Sequence, residues 1–222
     1  MLIIGHRGAA GLAHENTMRS LKAGFDAGAD ILEFDVRTTS DKVPILAHDA
    51  WIHGKNIRKH TLDQLVDCGE VTTLDTVLKT YFGKVLLNIE LKQADDGDAI
   101  LGVVEPYIKH PSDMEDVLFS SFRVTALKNL RAYNKQVNIA LLHHINPFTF
   151  MKYQKELQFS AVGFHRLHVN PLAIAVAQRL GIFTYVYTVD RIESARRLAR
   201  RHIDGVVTNY PDRIAEALQT EL

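Results

Sequence analysis

The stretches ILEFDVR (31–37) and LLNIELK (86–92) decide how this chain folds. In extended backbone, successive side chains point to opposite faces. Glu33, Asp35 and Arg37 therefore share one face of the first run, and Leu32, Phe34 and Val36 share the other. The second run repeats the division, with Asn88, Glu90 and Lys92 opposed to Leu87, Ile89 and Leu91. A polar face backed by a fully apolar one inverts the ordinary buried strand. Together the two runs bring carboxylates and cations to one surface, which reads as a binding site.

Outward from these runs, short β-like segments alternate with helical ones almost to the end of the chain. The strand candidates are LIIG (2–5), ILEFDVR, VPILAH (43–48), VLLNIELK (85–92), VLFSSF (117–122), VNIALLH (137–143), AVGFH (161–165), IFTYVYTV (182–189) and GVVT (205–208). Amphipathic helices are predicted near 17–28, 74–82, 98–110, 123–133, 147–157, 171–180, 191–201 and 211–220. Such alternation implies a parallel sheet with helices outside. In 222 residues, eight or more strands fit an α/β fold of the closed TIM-type (β/α)8 barrel better than an open sheet. No linker, repeat or low-complexity tract divides the chain, so residues 1–222 are expected to form a single barrel domain with a short inserted segment about 50–73.

One connection differs. TTSDK (38–42) is too short for a parallel crossover, so a β-hairpin-like connection is predicted between the second and third strands. A turn centred near Ser40 and Asp41 pairs Glu33 across from His48.

Composition narrows the function classes. Lys and Arg total 26 and Asp and Glu total 26, so no global field favours nucleic acid or an anionic membrane. The one cysteine, Cys68, excludes an internal disulfide framework and a cysteine zinc site. MLIIG has no basic n-region, and no run approaches the ~20 apolar residues of a membrane helix. The expectation is a cytoplasmic protein without stable membrane insertion.

Glu33, Asp35 and Glu90 offer only oxygen ligands and repel one another unless neutralised. A hard divalent cation, Mg2+ or Ca2+, suits that set; so does a metal-free ion-pair network with Arg7, Arg37 and Lys92. Both arrangements stand at this point. His6-Arg7-Gly8 follows LIIG directly and so sits at the C-terminal end of the first strand, where parallel barrels build active sites. His48-Asp49 ends another strand and offers a second proton carrier. Arg7 and Lys92 suit a phosphate. Asn16 or Thr17 caps the first helix, while Glu15 is free to point back toward His6 and Arg7. Among the remaining histidines, His165 is best placed to line the rim, and His143 and His144 are weaker signals. Phe122, Trp51 and Tyr187 near strand ends are candidates to shape a pocket. The basic run of Arg196, Arg197, Arg200 and Arg201 has the spacing of a solvated helix face.

Eight motifs in order, HRG (6–8), ENT (15–17), LEFDV (32–36), HD (48–49), NIELK (88–92), SSF (120–122), YTVD (187–190) and DGVVTNYPD (204–212), resemble the glycerophosphodiester phosphodiesterases of the phospholipase-C-like barrel superfamily. The resemblance implies one divalent cation held by Glu33, Asp35 and Glu90, with His6 and His48 as general acid and base. It also implies Arg7 and Lys92 on the phosphate, with Glu15, Phe122 and Tyr187 completing the substrate site. The implied substrate is a small deacylated phospholipid such as glycerophosphocholine or glycerophosphoethanolamine, cleaved to sn-glycerol 3-phosphate and an alcohol by a monomer or homodimer. Two other functions are compatible with the fold: a lysophospholipase D-type phosphodiesterase and a silent phosphodiester-binding barrel, the latter disfavoured because both histidines and all three carboxylates are present. Against the family pattern, Tyr187 replaces a usual Trp, Asp190 a usual Asn and Asn209 a usual Asp.

Overall fold

The computed structural model describes residues 1–219. In chain order the strands are β1 (Leu2–Gly5), β2 (Ile31–Thr38), β3 (Pro44–Leu46), β4 (Trp51–Ile52), β5 (Lys55–Asn56), β6 (Leu86–Leu91), β7 (Val117–Ser121), β8 (Asn138–His143), β9 (Ala161–His165), β10 (Phe183–Tyr187) and β11 (Gly205–Thr208). The helices are α1 (Met18–Asp26), α2 (Leu62–Val66), α3 (Leu74–Tyr81), α4 (Gly97–Val104), α5 (Val124–Tyr133), α6 (Thr149–Leu157), α7 (Pro171–Arg179), α8 (Ile192–Ala199) and α9 (Pro211–Gln219). Strands β1, β11, β10, β9, β8, β7, β6 and β2 follow one another in parallel, and β1 pairs with β2 to close the barrel. This is the expected (β/α)8 barrel. Two of its helices start at side-chain caps that the sequence supplies: Thr17 of α1 accepts from the Ser20 N–H at 3.1 Å, and Asn170 of α7, just ahead of Pro171, accepts from the Leu172 N–H at 2.9 Å.

The inverted strand pattern is explained by barrel closure. Leu32, Phe34, Val36, Leu87, Ile89 and Leu91 face outward into the main core, against Leu21 of α1, Leu74 and Leu78 of α3 and Ile100 of α4. Each such side chain contributes about 1.5–3 kcal/mol when fully buried. The inward face is apolar low in the lumen, where Ile4, Ile31, Ala140, Ala161 and Tyr185 pack together. Toward the C-terminal ends of β2 and β6 it becomes polar, with Glu33, Asp35, Asn88 and Glu90 all buried.

The β2–β3 hairpin forms, but its register corrects the expected Glu33–His48 pairing by one residue. Val36 lies opposite Leu46 and Thr38 opposite Pro44, which leaves a five-residue turn, Thr39–Val43. Thr39 clamps that turn through a 3.0 Å bond from its own N–H to the Val43 carbonyl, and Lys42 enters the left-handed region at φ 65° to close it. An odd turn shifts the ladder's centre from between residues 40 and 41 to residue 41. The ladder also ends at Leu46, so the loop orients His48 and the pleat does not.

The segment after His48 contains the β4–β5 ribbon and α2, none of them predicted, and Ile57 and Leu65 anchor it on Ile45 and Ala47. The helix expected over 98–110 ends at Val104 and tightens into a 3-10 turn, Glu105–Tyr107, because Pro106 cannot continue an α-helix. The final helix, expected to residue 220, is described to Gln219. Among the described residues, no helix is long and apolar enough to cross a membrane.

Gly8, at φ 87°, lets α1 lie directly on the loop after β1: a Cβ there would sit 2.4 Å from the Ser20 carbonyl carbon and 2.5 Å from the Leu21 nitrogen. Both obstacles are backbone. Gly8→Ala is therefore expected to lower stability by more than about 1 kcal/mol in urea unfolding, and an unchanged midpoint would contradict this packing.

Candidate active site

The polar end of the lumen is assembled by strand register. Glu33 pairs with Asn88 and Asp35 with Glu90 across the parallel β2–β6 ladder. One oxygen from each of Glu33, Asp35 and Glu90 consequently lies within 4.8 Å of the others.

Asp35 is the hub. It receives Arg7 Nε at 3.1 Å and Lys92 Nζ at 2.7 Å. Asn16 Nδ2 donates to it at 2.8 Å while Asn16 Oδ1 accepts from the Asp35 backbone N–H at 3.0 Å. Lys92 also bridges to Glu90. Glu33 takes a backbone bond instead, from the Arg7 N–H at 2.9 Å. Arg37, a candidate partner for the acids, is not in this network: its guanidinium donates to the His48 carbonyl at 3.0 and 2.7 Å and so holds the loop that carries His48.

Electrostatics separates the three acids. Burial opposes charge on Asp35, but Lys92 and then Arg7 outweigh it and hold its carboxyl below the usual carboxylate range. Burial, reinforced by the negative Asp35, pushes Glu33 up to about 8. Glu90 is pushed up to about 7, again mainly by burial, with Lys92 opposing. Two cations thus face three carboxylates, and the uncompensated charge falls mainly on Glu33. A hard cation fits this donor set. Asn88 Oδ1, on the residue paired with Glu33, is buried without a hydrogen-bond partner and adds an unused oxygen.

Arg7, Glu33, Asn88, Glu90 and Lys92 line a cavity of about 200 Å3 together with His6, His48, Phe122 and Tyr187, and Asp35 is clustered with the two glutamates. The sequence-predicted residues thus converge, apart from Glu15. That carboxylate binds Arg7 at 2.7 Å and lines a neighbouring cleft with the exposed Trp51. His6 Nδ1 lies 2.6 Å from Asn209 Oδ1. Burial outweighs that hydrogen bond and holds the His6 ring below the usual histidine range. His48 Nδ1 is 2.9 Å from its neighbour Asp49. Phe122 meets Tyr187 edge-on at 5.7 Å, and the Tyr187 hydroxyl donates to the His143 carbonyl.

Some site residues escaped the sequence reading. The rim histidine is His144, stacked on Phe122 at 4.0 Å, whereas His165 packs against the Tyr187 ring outside the cavity lining. Thr17 caps α1, which frees Asn16 for Asp35. Ser120 and Tyr185 also line the cavity, and both sit on the inward face of their strands, a position that alternation from Phe119 and Val186 would have revealed.

Comparisons with known proteins give the family and support the fold. The model of the glycerophosphoryl diester phosphodiesterase family matches residues 6–213. The chain is 27% identical over 238 residues to a glycerophosphodiester phosphodiesterase of Caldanaerobacter subterraneus subsp. tengcongensis, covering 95% of each chain. A glycerophosphodiester phosphodiesterase structure from Parabacteroides distasonis superposes with a TM-score of 0.85 at 26% identity, covering 99% of this chain and 97% of that one. An Oleispira antarctica phosphodiesterase, solved in complex with the product sn-glycerol-3-phosphate, shares the fold with a TM-score of 0.86 at 23% identity, covering 99% of this chain and 97% of that one. The family match and the closed barrel make this a phosphodiesterase of the (β/α)8 class. The chain belongs to the glycerophosphoryl diester phosphodiesterase family.

The raised carboxyls carry a sign. A carboxyl whose folded pKa exceeds its unfolded value keeps its proton in the native state after the unfolded chain has lost it, so stability falls as pH rises between the two. His6 and His143, held neutral by burial, act oppositely, but only below their ordinary value of 6.5. In EDTA, melting temperature is therefore expected to fall between pH 6.5 and the Glu33 value of about 8, and Glu33→Gln should flatten that slope. A wild-type profile as flat as the variant's would contradict the burial argument.

Proposed function

We propose that the chain hydrolyses small glycerophosphodiesters, releasing sn-glycerol 3-phosphate and an alcohol, with one divalent cation, Mg2+ or Ca2+, held by Glu33, Asp35 and Glu90. The observation that carries this reading is a buried cluster of three carboxylates, two of which, Glu33 and Glu90, line one cavity with His6 and His48 at the C-terminal end of the barrel. A cation bound there would supply positive charge to the phosphate and relieve the carboxylates.

The protein's own groups divide the remaining work. Lys92 and Arg7 neutralise phosphate oxygens while remaining tied to Asp35. One of His6 and His48 removes a proton from the water whose oxygen bonds to phosphorus, and the other protonates the alcohol oxygen as its P–O bond breaks. Phe122 and Tyr187 wall the cavity and bound the space left for the substrate. A volume of about 200 Å3 lies below the roughly 300–1,000 Å3 of pockets that hold drug-sized ligands. It favours a compact glycerophosphoryl group, with the alcohol reaching outward, over an acyl-bearing lysophospholipid. The exposed free thiol of Cys68 is consistent with a cytoplasmic, reducing setting.

The test is release of sn-glycerol 3-phosphate from glycerophosphocholine and glycerophosphoethanolamine by EDTA-treated protein, with Mg2+, Ca2+ or Mn2+ restored singly. Restored release is expected. Glu90→Ala should abolish it, and His48→Ala should slow it about a hundredfold or more. Metal-independent release, or full activity in Glu90→Ala, would refute the metal assignment. An unchanged rate in His48→Ala would remove that residue from the chemistry.

A further inference from the structure

We propose that Asp190 and Asn209 form a positioning relay that fixes His6 with its proton on Nδ1, leaving Nε2 as the ring nitrogen that moves protons. The inference deepens the reading of His6 as a proton carrier and rests on it.

The argument is one of donors and acceptors. Asp190 lies just beyond β10, and its carboxylate is fully engaged by the segment after β11. Oδ1 accepts from the Asn209 backbone N–H at 2.8 Å and the Thr208 hydroxyl at 3.1 Å, and Oδ2 accepts from Asn209 Nδ2 at 2.8 Å. An ionised carboxylate only accepts hydrogen bonds, so the Asn209 amide must turn its nitrogen toward Asp190. Its carbonyl oxygen then faces the other way, and that oxygen lies 2.6 Å from His6 Nδ1. An amide oxygen cannot donate, so Nδ1 must carry the hydrogen. In the neutral ring the lone pair is consequently on Nε2. The backbone locks the ends of this chain of contacts: β1 pairs Gly5 with Thr208, and the His6 N–H donates to the Thr208 carbonyl at 2.9 Å.

Without Asp190 as an acceptor, the Asn209 amide can flip and offer its NH2 to Nδ1, which stabilises the opposite tautomer. Asp190 is therefore a residue that touches no reacting atom yet selects which nitrogen does. Exchanging the two side chains preserves the logic, because a carboxylate at 209 accepts from both Nδ1–H and an amide at 190.

The experiment is long-range 1H–15N correlation of the imidazole nitrogens in 15N-histidine-labelled protein at pH 8, combined with steady-state kinetics. It compares wild type, Asp190→Asn and the reciprocal double variant D190N/N209D. Wild type is expected to show protonated Nδ1 and unprotonated Nε2 at His6. Asp190→Asn should mix or invert the tautomers and lower kcat roughly tenfold, a fraction of the ~10²–10⁴ that a proton carrier supplies, with KM little changed. The double variant should restore both the tautomer and kcat, a rescue that general loosening of the fold would not produce. An Nε2–H ring in wild type overturns the relay, as does an Asp190→Asn variant that keeps the Nδ1–H tautomer and full kcat. A wild type with the expected tautomer, lost in Asp190→Asn, but without phosphodiester turnover would count against the functional reading and leave the relay supported.

Discussion

The structure depends on one electrostatic constraint: three carboxylates are buried within a few ångströms of one another with two cations to meet them. An ionised carboxylate left unpaired in a low-dielectric interior costs several kcal/mol, so it must take up a proton or a cation. Asp35 avoids that penalty by taking both Arg7 and Lys92. Glu33 does not, and burial together with the negative Asp35 raises its pKa. The barrel imposes this crowding because its parallel register sets Asp35 beside Glu90, and the outward core of Phe34, Ile89 and their neighbours keeps the strands from moving apart. Packing outside the barrel thus stores the charge problem inside it, where a bound divalent cation would resolve it.

Loops complete the site, and each is tied by polar contacts that leave the cavity clear. The turn after β1 is pressed against α1 at Gly8 and brings Arg7 and Asn16 onto Asp35. On one side of the cavity Arg37 grips the carbonyl of His48. On the other, Asn209, itself held by Asp190, contacts the ring of His6.

Much of this was legible in the sequence because alternation is a strict consequence of strand geometry. It correctly assigned Glu33, Asp35 and Glu90 to one face, and the chain of short strands and helices implied the closed barrel. What was not legible depended on geometry that alternation does not encode. The five-residue turn Thr39–Val43 shifted the hairpin register by one, because turn length is set by a local clamp at Thr39 and the backbone angle of Lys42. Of the two cap candidates, Asn16 and Thr17, Thr17 fills the role, and the contact of Asn16 with Asp35 spans 19 residues of sequence. In the sequence, Asp190 stands in place of a usual Asn and Asn209 in place of a usual Asp. In three dimensions the two side chains touch, so the charge is displaced by one hydrogen bond and remains coupled to His6.

The central claim, that the carboxylate cluster is organised around a cation, is tested most directly by isothermal titration calorimetry of Mg2+, Mn2+ and Ca2+ into EDTA-treated protein. The account predicts one-to-one binding of at least one of these ions to the wild type, and its loss in Glu33→Gln, whose fold is retained. A wild type that takes up none of them, or a Glu33→Gln variant that binds as tightly as wild type, would contradict it.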